Sequence, residues 1–255
     1  MEWVILLFDH VDWGIAALLF VLGIAAFLLS TLSGGGGALV LIPVISWTLG
    51  ATHTAPVLNL GTLIGRPARL ILFWHNIHWR LCLFYIPAAM TGAWLGAWLF
   101  VEFRAEWLQI IIGLFLVSTA FQYRMGKKEK SFTTKAWHFA PLGLVIAMTG
   151  TLVGAMGPVL TPFYLNLGLK KEDMIATKTA NSFFMGISQV SSYTFFGLLH
   201  QPFWTYGIVL GAGAIIGNIL GKKYLVGMKN VTFRKWVIAM MVISGVALII
   251  KQLIN

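Results

Sequence analysis

Arg66 and Arg69 stand inside an apolar stretch, "TAPVLNLGTLIGRPARLILFW" (54–74), and they raise the first chemical question. Asn59, Thr62, Arg66 and Arg69 follow at i, i+3, i+7 and i+10, which on a helix is one face. None of the eight carboxylates (Glu2, Asp9, Asp12, Glu102, Glu106, Glu129, Glu172 and Asp173) is near them in sequence, and all eight fall near segment ends or in loops. At the centre of a membrane helix an arginine costs about 2.5–3.5 kcal/mol on insertion scales. Two such residues without an acidic neighbour point to an anionic ligand. The competing reading is that they snorkel or bond backbone carbonyls, which weighs more for Arg69, the closer of the two to His75 and His78.

A second polar stripe lies at 174–196, "MIATKTANSFFMGISQVSSYTFF". Thr177, Asn181, Ser188 and Ser192 share one side, with Lys178, Ser182 and Gln189 beside them. Such groups either line a site or join helices. Lys178 is one turn inside the membrane, within snorkelling reach of its surface.

The third chemical feature is backbone. "SGGGG" (33–37) interrupts apolar sequence, and "GAMGP" (154–158) repeats the device. Non-helical backbone at membrane depth is tolerated only where protein buries it or a watery cavity solvates it. Glycine lets a ligand approach the chain closely. The helix that follows has free N–H groups at its positive end, a ready anion site. Pro158 suits a first helical turn. Gly92, Gly96, Gly213, Gly217 and Gly221 are read instead as close-packing positions between helices.

No constellation for catalysis or metal binding stands out. His75 and His78 are i, i+3 with no third ligand. Cys82 is the single cysteine, so no intrachain disulfide forms. The expectation is a protein without catalysis or cofactor.

The elements that must position these groups are membrane helices. Only 10% of the 255 residues are charged and 58% are hydrophobic, against about a quarter charged in soluble domains. Residues 81–101 and 136–169 carry no charge, and 11–33 carries only Asp12. A crossing helix needs about 20 mostly apolar residues. The net charge of +10 does not indicate nucleic acid, because ten of the eighteen Lys and Arg lie in loops 124–135 and 222–235. Short basic loops mark the cytoplasmic side. The first twelve residues have three acids and no Lys or Arg, which places the N-terminus outside and argues against a signal peptide.

The chain also repeats. "LSGGGGALVLIPVISWTLG" (32–50) resembles "LVGAMGPVLTPFYLNLG" (152–168), and Trp79, Gly92 and Gly96 match Trp204, Gly217 and Gly221 at one constant offset. Each half has five apolar segments: 12–33, 37–49, 54–74, 79–101 and 105–123, then 137–155, 158–168, 174–198, 203–221 and 235–254. The second of each set is too short to cross as helix alone. With both basic loops inside, each half makes an odd number of crossings, so the halves are inverted and the C-terminus is outside. The expected fold is an all-α polytopic membrane protein of two inverted repeats, each with about four long helices and one short broken or re-entrant helix. The repeats are 1–126 and 137–255, with a cytoplasmic basic linker at 127–136. Secondary transporters are commonly built this way.

Together "SGGGGALVLIPVISWTLG", "HNIHWRLCLFYIPAAMTGAWLGAWL", "GAMGPVLTPFYLNLGLKKEDMIATK" and the Trp-to-glycine stretch 204–221 resemble the TauE/SafE sulfite exporter family, also called toluene sulfonate uptake permeases. The resemblance covers nearly the whole chain. It implies an inverted-repeat transporter of small sulfur-containing anions (sulfite, organosulfonates, thiosulfate) in a bacterial inner membrane, and it allows a homodimer. Residue by residue, the glycine break maps to Gly34–Gly37, the "ATK" motif to Ala176–Lys178, and the prolines to Pro43 and Pro162. The chain departs from the family pattern in having "GAMGP" where a run of three glycines is usual, and Asn59 where Thr is common.

On this reading Ser33, Gly35, Gly36, Gly37, Met156 and Gly157 hold the anion, chiefly through N–H groups. Arg66, with Arg69 near it, neutralises the charge, and Asn59, Asn181 and Gln189 orient the ligand. The alternatives are an anion channel, or a membrane scaffold whose glycines only pack helices.

Overall fold

A computed structural model describes residues 11–32, 37–102, 135–154 and 157–229, with isolated positions between 232 and 246. Among them are eight α-helices and no strand. They are α1 (Trp13–Leu32), α2 (Gly37–Leu49), α3 (Ala51–Leu72), α4 (Trp79–Glu102), α5 (Phe139–Val153), α6 (Gly157–Asn166), α7 (Lys171–Phe195) and α8 (Phe203–Val226). Single 3₁₀ turns at Trp74–Asn76 and Ala136–His138 lead into α4 and α5. The expected span 105–123 lies outside the described residues, as does nearly all of loop 124–135. So does 235–254, apart from isolated helical positions.

Among the described residues three helices, α1, α4 and α8, are both long and apolar enough to cross a membrane. α3 and α7 have the length, at 22 and 25 residues, but carry the two polar stripes. α2 and α6 are short, at 13 and 10 residues, or about 20 and 15 Å of helix.

Local chemistry sets several ends. Asp12 caps α1, its Oδ1 accepting from the N–H groups of Gly14 and Ile15 at 2.8 and 3.2 Å. α3 and α7 each begin three residues before the expected start. Gly50, at φ 87°, turns the chain directly into Ala51. Lys170 is extended, and Glu172 and Asp173 then occupy the first turn of α7. There they complement the positive end of the helix, so polarity read as loop is helix. α3 continues through Pro56 and Pro67.

Glycines set the helix contacts. Gly213 and Gly217 of α8 lie against the backbone at Phe20 and Ile24 of α1, and Gly221 against Thr31. Gly92 and Gly96 of α4 lie against Leu144 and Met148 of α5. At each of these sites a Cβ would collide with the neighbouring helix, so the packing role read from sequence is what these five glycines perform.

The same contacts give direction. α1, α3 and α8 run parallel, since Gly207 and Gly211 of α8 meet Leu60 and Ile64 in the same order. α4 and α5 run parallel to each other. α7 joins them, with Met185 against Tyr85 and Ser188 against Met90. α7 opposes α3, because Asn59 meets Tyr193 while Arg66 meets Ser182. Counterpart helices, α1 and α5, α3 and α7, α4 and α8, therefore run in opposite directions, as inverted halves require. The packing is also reciprocal: α1 pairs with α8 as α5 pairs with α4, α3 with α8 as α7 with α4, and α3 meets α7 at the centre.

Candidate functional site

The α3–α7 crossing brings both polar stripes together. Asn59, 2% exposed, donates from Nδ2 to the Tyr193 hydroxyl at 3.1 Å. Tyr193 in turn donates to the Thr151 carbonyl of α5 at 2.5 Å, and Gln189 Nε2 donates to Thr151 Oγ1 at 3.1 Å. One turn of α5 thus receives bonds from two residues of α7 and, through Tyr193, from α3. Further along α7, Asn181 Nδ2 donates to the Tyr164 hydroxyl at 2.7 Å and Lys178 Nζ to Thr161 Oγ1 at 2.8 Å, both partners on the short helix α6.

The face carrying both arginines divides between neighbours. Arg66 points across the crossing, its Nη1 donating to the Ser182 carbonyl at 2.5 Å. It occupies the notch left by Gly186, where a Cβ would overlap Nη1. Arg69 turns to α1 and α8 instead. Its Nη2 donates to Thr31 Oγ1 at 2.7 Å and to Asn218 Oδ1 at 2.6 Å. Asn218 then donates to the Gly65 carbonyl at 2.8 Å, tying α8 back to α3.

Lys178 corrects an expectation. It does not snorkel: it is 7% exposed and engages α6. With Arg66 and Arg69 of α3, it makes three cationic side chains on the two helices that cross at the centre. Neither Arg66 nor Arg69 has a carboxylate partner among the described residues. The two ion pairs there, His78–Asp173 at 3.6 Å and Lys171–Glu172 at 3.4 Å, lie at helix ends. Arg69 Nε, Asn181 Oδ1 and Gln189 Oε1 are buried without a hydrogen-bond partner among the described residues. Cations on the apolar helices of a membrane protein are costly and mark a functional region.

The second helix break falls at its glycine, Gly154, and residues 33–36 of the first lie outside the described residues. α1 ends at Leu32 and α2 opens at Gly37; α5 ends at Val153 and α6 opens at Gly157. Gly154, at φ 94°, closes α5 in the left-handed conformation and donates to the Gly150 carbonyl at 2.8 Å. It packs on Ala55 of α3, where a Cβ would stand 3.2 Å from the Ala55 Cα. Ser33, Gly35, Gly36 and Met156 lie outside the described residues. Sequence reasoning missed Thr151, Thr161, Tyr164, Tyr193, Thr31 and Asn218. Tyr193 lies within the polar stripe of α7 itself, and the others are polar groups in mostly apolar helices.

An all-helical membrane protein of two inverted halves, with cationic side chains on the helices that cross between them, has the build of a secondary transporter. The chain belongs to the sulfite exporter TauE/SafE family, whose profile matches residues 19–248. Neither the curated proteins nor the solved structures compared with it gave a match.

Proposed function

We propose that this protein is a secondary transporter that exports sulfite or a small organosulfonate across the bacterial inner membrane. The observation that carries the reading is Arg66. It spans the crossing of the two halves, sits in the Gly186 notch and has no carboxylate partner among the described residues. A guanidinium fork matches the oxygens of a sulfite or sulfonate. The N–H groups at the glycine breaks, Ser33 to Gly37 and Met156–Gly157, supply the remaining donors, and Asn59, Asn181 and Gln189 orient the anion. Family membership supports the transport class and the sulfur oxyanion.

The test is thermal stability of the purified protein against sulfite, sulfoacetate, taurine, thiosulfate, sulfate and chloride. Stabilisation by one sulfur anion, lost in Arg66→Ala, is the expected result; at a hundredfold excess over Kd it amounts to about 2.7 kcal/mol. Equal response of wild type and Arg66→Ala to every anion would overturn the site. Saturable flux in proteoliposomes separates a carrier from a channel, and no flux of any anion identifies a scaffold.

A further inference from the structure

At the basic end of the bundle a cavity of about 670 Å³ opens between the start of α4, the turn before α5 and the link that follows α6. His78, Arg80 and Lys135 form its polar wall, His78 being paired with Asp173 at 3.6 Å; Trp79, Trp137, Phe84 and Leu169 form much of the apolar one. Among the described residues no carboxylate lines it directly. Neither ion pair among the described residues involves Arg80 or Lys135, and both of these side chains are exposed.

The cavity has the layering of a bilayer surface. Trp79 and Trp137 are 43% and 57% exposed, as indoles are at headgroup depth. Phe84 lies more than a turn further along α4 and is 40% exposed, beside Leu83 at 74%. Cations at the rim and an apolar wall descending from them suit a molecule with an anionic head and a hydrocarbon tail. A soluble anion would leave the Phe84 wall unused.

We propose that this cavity holds an anionic phospholipid, its phosphate between Arg80 and Lys135 and an acyl chain along Phe84. Basic pockets at the cytoplasmic ends of membrane helices take such head groups. The site is separate from the Arg66 crossing, so its fate does not depend on the anion-transport reading.

The experiment uses the full chain, purified in detergent and stripped of lipid. Native mass spectrometry and thermal unfolding are then followed with dioleoyl phosphatidylglycerol, with dioleoyl phosphatidylcholine, and with glycerol 1-phosphate as a soluble head group. Phosphatidylglycerol should be retained and should raise Tm, and the other two should not. Lys135→Gln, at an exposed turn, should weaken retention about fivefold, and Arg80→Gln/Lys135→Gln about twenty-five-fold. Folding of each variant is checked by its Tm in phosphatidylcholine. If the double variant does not fold, Lys135→Gln alone decides. Equal retention of the two lipids, full retention by Lys135→Gln, or an equal Tm rise with glycerol 1-phosphate would each overturn the proposal.

Discussion

Arg66 and Arg69 are three positions apart, yet they have different neighbours and should respond differently to substitution. Arg69 ties α3 to α1 and α8 through Thr31 and Asn218. Arg69→Gln should therefore destabilise the fold by about 1–3 kcal/mol, seen in thermal unfolding without ligand. Gly186→Ala tests Arg66 without removing it. The added methyl falls on Nη1, the far end of a flexible chain that can swing aside. Folding should change little, while anion-dependent stabilisation falls as in Arg66→Ala. A Gly186→Ala protein with a wild-type anion response would dissociate the notch from the site. The arginines, Asn59, Asn181 and Gln189 were legible because polar groups in apolar sequence have few roles. Their partners were not: Tyr193 reaches Asn59 from 134 positions away, and no local pattern announces such a bond. Lys178 was misread because distance along a helix does not reveal whether a neighbouring helix, here α6, stands between the side chain and the surface.

Among the elements, the described helices were legible to within a few residues, though α7 stops at Phe195 rather than 198 and α8 runs to Val226 rather than 221. The starts of α3 and α7 were set late because Ala51–His53 and Lys171–Asp173 look like loop by polarity, whereas a positive-φ glycine and a charged first turn are helix beginnings. The glycine contacts make the firmest predictions at this scale. Gly92 and Gly217, matched at one offset in sequence, face the backbone at Leu144 and Ile24. Backbone cannot rotate out of the way, so Gly92→Ala and Gly217→Ala must each prise a helix pair apart. Each should cost about 1–3 kcal/mol, and in similar amounts, since the positions are equivalent. Thermal unfolding of the two variants side by side checks both the magnitude and the equivalence. A tolerated substitution at one position only would break the correspondence between halves.

Across the whole molecule, loop charge and repeat order foreshadowed the opposed helix directions, because a parity argument needs only the signs of a few loops. Which end faces the cytoplasm is a matter for labelling. In a Cys82→Ser background, Gln201→Cys should react with a membrane-impermeant maleimide in intact cells, and Lys223→Cys only after permeabilisation. The reverse pattern would turn the molecule over. The polarity of α3 and α7 reaches further, to how the chain enters a bilayer. A translocon releases a helix sideways into lipid according to its own apolarity, and α1, α4 and α8 qualify alone. α3 carries two arginines, at about 2.5–3.5 kcal/mol each, and α7 carries Lys178 with its amides. These two central helices gain lipid-compatible surroundings only by pairing with segments made before and after them. A translocon should therefore release α1 and α4 as they emerge and hold α3 until α7, made in the second half, can pair with it.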